Sequence, residues 1–300
     1  MSKTILYTAL RVTEGKDGNV PFVRVDGLEH FDVSQIFDCG QAFRFLPLPA
    51  PEGSFAVGGV AYGKYVEFVQ SGNTLTIRNS TLSDYENIWK HYLSLDADYS
   101  EIQLDLKARF DSEVFEKAVE VGDGIRLLRQ EPWECVCSFI VSQNNNIPRI
   151  RKIIESMCEK YGEEIEFEGK RHYAFPTPEA LANAGVDAIF ELRTGFRAKY
   201  IYDAATKVAN GELDLAKLFE LDTNDALAEL CRVNGIGPKV ASCALLFAFE
   251  KYDAFPIDVW VKKIIEKYFP DGLDIKSLGD YAGIAQQYLF FYERYVVAGK

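Results

Sequence analysis

Apolar and polar positions divide the chain into two stretches of different period. Over the first hundred or so residues the period is two. Tyr65-Val-Glu-Phe-Val-Gln alternates, Ser71-Gly-Asn-Thr supplies a turn, and Leu75-Thr-Ile-Arg alternates again. This pattern predicts a β-hairpin, and Gly58, Gly59 and Gly63 punctuate the strands before it. Between Ser83 and Leu93, the residues Tyr85, Ile88, Trp89 and Tyr92 fall at helical spacing. From about Asp111 the pattern is helical, with helices predicted over 113–121, 124–130, 132–143, 147–160, 178–183, 186–192, 197–209, 214–219, 223–232, 238–249, 258–268 and 280–297. Thr177-Pro178, Asp222-Thr-Asn and Pro238 act as start signals. The acidic stretch Gly162–Arg171 reads as a surface loop. No repeat, low-complexity tract or flexible linker intervenes, so the two regions are expected to pack tightly. The fold class is α+β: an N-terminal antiparallel β domain with one or two helices over 1–110, packed on a mainly α-helical domain over 111–300.

Composition narrows the function. The apolar fraction of 48% and charged fraction of 26% are those of a soluble globular protein. No segment is long and apolar enough to cross a bilayer, so no membrane is expected as a partner. Met1-Ser-Lys-Thr-Ile-Leu-Tyr7 lacks a signal-peptide core and cleavage site, which makes the cytoplasm the default compartment. Six scattered cysteines read as reduced, mostly buried thiols. Cys135-Val-Cys137 has the wrong spacing for a common zinc site. The lack of a four-cysteine cluster near the C-terminus argues against an iron–sulfur cluster. The net charge of −12 counts against a nucleic-acid binder that works by bulk attraction. It leaves room for one that uses backbone amides and a local basic face. Arg149-Ile-Arg151-Lys152 and Arg193-Thr-Gly-Phe-Arg197-Ala-Lys199 are candidates for that face, and solvated helix surfaces would explain either run alone.

The stretch Leu230-Cys-Arg-Val-Asn-Gly-Ile-Gly-Pro-Lys239 places a tight turn on Gly235 and Gly237 between two helix-like segments. Glycines there let a phosphate approach the backbone, and the following helix points free N–H groups at it. Lys239 sits in the first turn of that helix, an unfavourable place for a cation. It is either an exposed lysine reaching past the helix end or an amine whose ammonium form is disfavoured by dipole and burial. A neutral amine is the nucleophile that Schiff-base chemistry at a sugar C1′ requires. Asp258, after Pro256, reads as the N-cap of the next helix. Backbone N–H bonds would keep it ionised, able to stabilise an oxocarbenium-like transition state.

The Leu230–Asp258 segment resembles the helix-hairpin-helix plus Gly/Pro–Asp signature of base-excision DNA glycosylases. A lysine after the second glycine resembles the bifunctional members. Cys39-Gly-Gln-Ala-Phe-Arg44, Glu131-Pro-Trp-Glu with Ser138-Phe-Ile-Val-Ser-Gln-Asn-Asn-Asn-Ile-Pro-Arg149, and Ala285-Gln-Gln-Tyr-Leu-Phe290 narrow the likeness to the 8-oxoguanine DNA glycosylase/AP lyase family, in chain order and over nearly the whole chain. The resemblance implies base flipping from duplex DNA, removal of 8-oxoguanine and β-elimination at the abasic site, by a monomer located with the DNA, in the nucleoid of a bacterium or the nucleus of a eukaryote. It assigns Lys239 as nucleophile and Asp258 as its electrostatic partner. The carbonyl of Gly40 would accept the N7–H that 8-oxoguanine has and guanine lacks. Cys243 and Phe290 would stack on the two faces of the base, and Gln286 would read its Watson–Crick edge. Asn144 would fill the vacated stack, and Arg149 and Arg197 would hold the estranged cytosine. Phe196 stands where a tyrosine beside the cytosine is common, and the lost hydroxyl puts opposite-base discrimination in question. Trp260 stands where a histidine near the DNA phosphate is common; it cannot carry a positive charge, though its indole N–H can donate. No cofactor is implied, although the hairpin carbonyls would suit a monovalent cation.

Overall fold

The computed structural model describes residues 10–299, so the reading of Met1–Tyr7 lies outside the described residues. A six-stranded antiparallel sheet has the order β1-β2-β6-β5-β4-β3. Its strands are β1 (Arg11–Asp17), β2 (Val20–Asp26), β3 (Leu46–Leu48), β4 (Ser54–Ala61), β5 (Lys64–Ser71) and β6 (Thr74–Arg78). The expected hairpin is β5–β6, closing on the pair Ser71↔Thr74. Its inward residues Val66, Phe68, Leu75 and Ile77 are fully buried, as alternation on one covered face requires. Each such side chain contributes about 1.5–3 kcal/mol. They pack under α1 (Val33–Asp38) and under a helical stretch made of α2 (Leu82–Asp84), a π turn (Tyr85–Trp89) and α3 (Lys90–Tyr92). Phe68 lies 5.5 Å from both Phe37 and Phe45, an aromatic cluster inside a core of mostly aliphatic side chains.

The helical layer comprises α4 (Tyr99–Arg109), α5 (Glu113–Val121), α6 (Pro132–Ser142), α7 (Ile147–Tyr161), α8 (Pro178–Ile189), α9 (Ala198–Ala209), α10 (Thr223–Leu230), α11 (Pro238–Ala248), α12 (Val259–Tyr268) and α13 (Ala282–Phe291). Helices α6 and α11 are apolar around most of their circumference and form the centre, with Phe139 stacked on Phe247 at 5.5 Å. Their core takes in Cys39 and Phe43 from the sheet layer and Tyr99, Ile102 and Leu106 from α4. All six cysteines are free thiols, five of them buried. Among the described residues no helix is long and apolar enough to cross a membrane.

Three sequence expectations differ from the structure. Gly162–Arg171 is not a plain loop, because β7 (Glu164–Phe167) and β8 (Lys170–Tyr173) form a hairpin. Glu168 and Gly169 both have positive φ, the geometry a two-residue type I′ turn demands. Phe167 and His172 pack on Tyr65, which anchors the hairpin to the sheet. The span 280–297 is helical from Ala282, where α13 runs on without a break into a π turn (Tyr292–Val297). The 214–219 span, by contrast, contributes only the single turn Lys217–Phe219.

The third difference matters most. Residues 124–130 are buried but not helical. Their backbone groups are taken by partners from elsewhere in the chain. Leu127 N–H donates to the Tyr99 hydroxyl, Leu128 N–H to Gln41 Oε1, Arg129 N–H to the Tyr92 carbonyl and Gln130 N–H to the Phe247 carbonyl. Gln41 Nε2 and Ser94 Oγ donate back to the carbonyls of Arg126 and Leu127. Arg126 is itself buried. It donates to the carbonyls of Glu29, His30, Ser94 and Ala97 and lies over the Tyr99 ring at 4.6 Å. Burial lowers its pKa. The segment is a seam between the two layers.

Replacing Arg126 with Met would strip donors from four backbone carbonyls, each a buried orphan costing about 1–3 kcal/mol. Urea unfolding is expected to show a loss of about 3 kcal/mol or more, against less than 0.5 kcal/mol for an exposed control such as Lys107→Met.

Candidate active site

The hairpin between α10 and α11 is closed by Val233 N–H to the Leu230 carbonyl at 3.1 Å and Ile236 N–H to the Val233 carbonyl at 3.0 Å. Gly235 has φ +84, and a Cβ there would lie 2.2 Å from the Tyr200 ring. Glycine is required twice over, by conformation and by contact. Gly237 is the N-cap of α11, faces open space and is followed by Pro238, and no side chain caps this end. The N–H groups of the first turn are thus left for an incoming anion.

Lys239 is the second residue of α11 and half-buried. Its Nζ lies 5.9 Å from the Phe139 ring centre, and Cys243 stands one turn further along the same helix. Burial pushes the Cys243 thiol up to about 11, with the lysine opposing, so this wall is an uncharged, polarisable sulfur at neutral pH. Asp258 is the N-cap of α12, and its Oδ1 accepts the Val261 N–H at 2.8 Å. The cap does not use the other carboxylate oxygen.

These groups converge. A cavity of about 70 Å³ is lined by Gly40, Lys239, Cys243, Asp258, Gln286 and Phe290, among others. It opens into a groove of about 1000 Å³ that also runs past Asn144, Phe196, Gly237, Trp260, Lys262 and Arg294. Gly40 has φ +80, and a Cβ there would face the Phe290 ring and the Arg294 guanidinium, each at 3.7 Å. The Gly40 carbonyl accepts no hydrogen bond from the described residues. Phe196 is half-exposed and held edge-on against Tyr200 at 5.9 Å. Asn144 is exposed and has φ +46. Trp260 lies in the first turn of α12, with Lys263 Nζ 5.1 Å from its ring centre.

The two arginines part company. Arg149 is exposed on the first turn of α7, and among the described residues its side chain hydrogen-bonds only the Arg193 carbonyl, at 3.3 Å. Arg197 does not present its fork to the groove as expected. It is 2% exposed, and it donates to the carbonyls of Gln143, Asn144 and Thr194. Its guanidinium holds the 143–144 loop and so fixes the backbone that carries Asn144. Several residues were not singled out from the sequence. Gln287 donates to the Cys39 carbonyl at 2.6 Å, and Gln41 is a fully buried staple beside Gly40. Arg294 lies over the Phe290 ring at 5.6 Å. A glutamine pair inside an apolar helix, and an arginine four positions after an aromatic, are the signals that point to them.

Two helix N-termini, one carrying an amine beside the Gly235–Gly237 hairpin and one a carboxylate, line one cavity in a helix-hairpin-helix arrangement. Residues 137–273 match the HhH-GPD superfamily of base excision DNA repair proteins. Residues 25–136 match the N-terminal domain of 8-oxoguanine DNA glycosylase. The structure of MBOgg1 in complex with a low-affinity DNA ligand is 41% identical, covers 97% of this chain and 100% of that one, and superposes with a TM-score of 0.87. The Clostridium acetobutylicum 8-oxoguanine glycosylase/lyase, in complex with dsDNA containing cytosine opposite 8-oxoG, is 39% identical, with 95% and 97% coverage and a TM-score of 0.86. The N-glycosylase/DNA lyase of Saccharomyces cerevisiae is 36% identical over 156 residues, 48% of this chain and 42% of the yeast protein. The chain thus spans about half the length of the curated relatives it matches. It belongs to the 8-oxoguanine DNA glycosylase family.

The N-cap geometry gives a stability control for later activity measurements. Asp258→Asn keeps a good capping oxygen and is expected to change unfolding free energy by less than about 0.5 kcal/mol, whereas Asp258→Ala costs about 1 kcal/mol. Thermal or urea denaturation distinguishes the two.

Proposed function

We propose that this protein excises 8-oxoguanine from duplex DNA and then cleaves the strand at the abasic site. The observation that carries the reading is the convergence of the Lys239 amine and the Asp258 carboxylate on one cavity walled by Cys243 and Phe290. The flipped base stacks between the thiol and the ring, with Gln286 at its Watson–Crick edge. The free Gly40 carbonyl meets N7–H of 8-oxoguanine, whereas it would meet a lone pair on guanine N7.

Lys239 Nζ forms a bond to C1′ as the C1′–N9 bond breaks and its electron pair leaves with the base, which takes up a proton. Asp258 stabilises the positive charge that builds on the sugar. The secondary amine then opens the sugar ring to a protonated Schiff base. Loss of the C2′ proton expels the 3′-phosphate by β-elimination, and hydrolysis of the imine returns the amine. In this assignment Asn144 and Phe196 face the vacated stack, Arg149 reaches the opposite strand, and Arg197 fixes the loop that carries Asn144. Gly235, Gly237 and Trp260 lie along the phosphate path. The amine and carboxylate supply the chemistry without a cofactor. The carbonyls of Cys231 and Ile236 accept no hydrogen bond from the described residues, which fits a monovalent cation bridging the hairpin to phosphate. That cation would add charge for phosphate binding only.

Borohydride trapping on an 8-oxoguanine duplex tests the mechanism. Wild type is expected to give a covalent complex and Lys239→Gln none while still binding the duplex. Asp258→Asn is expected to trap about 10²–10³-fold more slowly. A trapped complex with Lys239→Gln, or none with wild type, overturns the assignment. Lys262→Ala, on the groove wall, is expected to reduce the slope of log affinity against log salt by about one. Titration by fluorescence anisotropy at several salt concentrations reads it.

A further inference from the structure

Around Gly40, the backbone is anchored on both sides. Downstream, the Gln41 carbonyl accepts from Gln130 Nε2 at 2.7 Å, and the Gln41 side chain bonds the Ile36 and Arg126 carbonyls, each at 2.9 Å. Upstream, the Cys39 carbonyl accepts from Gln287 Nε2 at 2.6 Å, a contact across 248 positions of the chain. Gln287 is 2% exposed and adjoins Gln286 on α13, yet unlike Gln286 its donor is spent on the protein. The Tyr295 hydroxyl makes a further bond to the Asp38 carbonyl from the same end of the chain.

We propose that Gln287 is a positioning residue that sets discrimination between 8-oxoguanine and guanine by locking the Cys39–Gly40 peptide. The inference rests on the proposed substrate reading. The Cys39 carbonyl and the Gly40 N–H share one rigid peptide plane. Holding that carbonyl fixes the plane about which Gly40 turns, and Gly40, with no side chain and φ +80, is otherwise held only from the Gln41 side. Restraint matters because selectivity here is a repulsion. A carbonyl that can swing aside escapes the guanine N7 lone pair, and it also ceases to be preorganised for the N7–H of the lesion. The lysine and aspartate stand on other elements, α11 and the start of α12, and do not depend on this bond.

The test compares two reactions of the same enzyme. Single-turnover excision of 8-oxoguanine, and of guanine in the same duplex, is measured beside strand cleavage at a preformed abasic site, which has no base to recognise. Gln287→Met keeps length and removes the donor. It is expected to lower the 8-oxoguanine-to-guanine rate ratio about tenfold or more, and to slow 8-oxoguanine excision about tenfold more than abasic cleavage. Gln287→Glu has no donor when ionised and one when protonated, and burial brings its carboxyl within reach of mild acid. Its ratio of excision to abasic cleavage is expected to rise from pH 8 to pH 6 relative to wild type. A purely structural role predicts that excision and abasic cleavage fall together with no such pH recovery. That result, or a Gln287→Met rate ratio within twofold of wild type, overturns the inference. If wild type performs neither reaction, the functional reading fails instead.

Discussion

The buried, non-helical run from Gly124 to Gln130 is the constraint on which the rest of the structure depends. Backbone groups removed from water and denied a helix or a sheet ladder must each find a partner. Here the partners come from both layers: Gln41 and Tyr92 on the sheet side, Tyr99 and Phe247 on the helical side. Satisfying this one segment therefore docks the layers in a single register. It also places Gln41, and with it Gly40, against the mouth of the helical cavity.

That docking lets two elementary helix properties act at one point. The uncapped start of α11 offers N–H groups and a positive dipole end where a phosphate would lie, with Lys239 one position further in. The start of α12 is closed by a carboxylate, which its own cap bond to the Val261 N–H holds in one orientation. Neither feature is unusual alone. Facing each other across a cavity with a neutral thiol on one side and an aromatic ring on the other, they make a site in an otherwise acidic protein. A net charge of −12 leaves room for DNA binding if oriented dipoles and a few groove cations, Lys262 and Arg294 among them, do the work.

Arg197 shows the limit of assigning a role from residue type. A guanidinium beside a groove suggests a ligand contact, but its donors are taken by the carbonyls of Gln143, Asn144 and Thr194. The exposed ring of Phe196 and the strained Asn144 are held in place by a buried charge that never reaches the surface. Gln287 is a parallel case on the other wall, where an amide holds a peptide so that a neighbouring carbonyl stays free.

Local rules made much of this protein legible. Two-fold alternation marks β5 and β6, proline and aspartate mark the starts of α6, α10, α11 and α12, and the Gly-Ile-Gly turn marks the hairpin, because each depends on residues within a few positions of one another. Lys239, Asp258, Gly40, Cys243, Gln286 and Phe290 could be picked out by the motifs that contain them. The amino-acid order alone thus marked most of the elements and picked out residues that line the cavity. It did not settle the 124–130 seam, which has an apolar pattern compatible with a helix, nor the employment of Arg197, Gln41 and Gln287. Those were decided in three dimensions, because a buried donor is committed by whichever carbonyl the packed chain brings to it, and these carbonyls arrive from as far as 248 positions away.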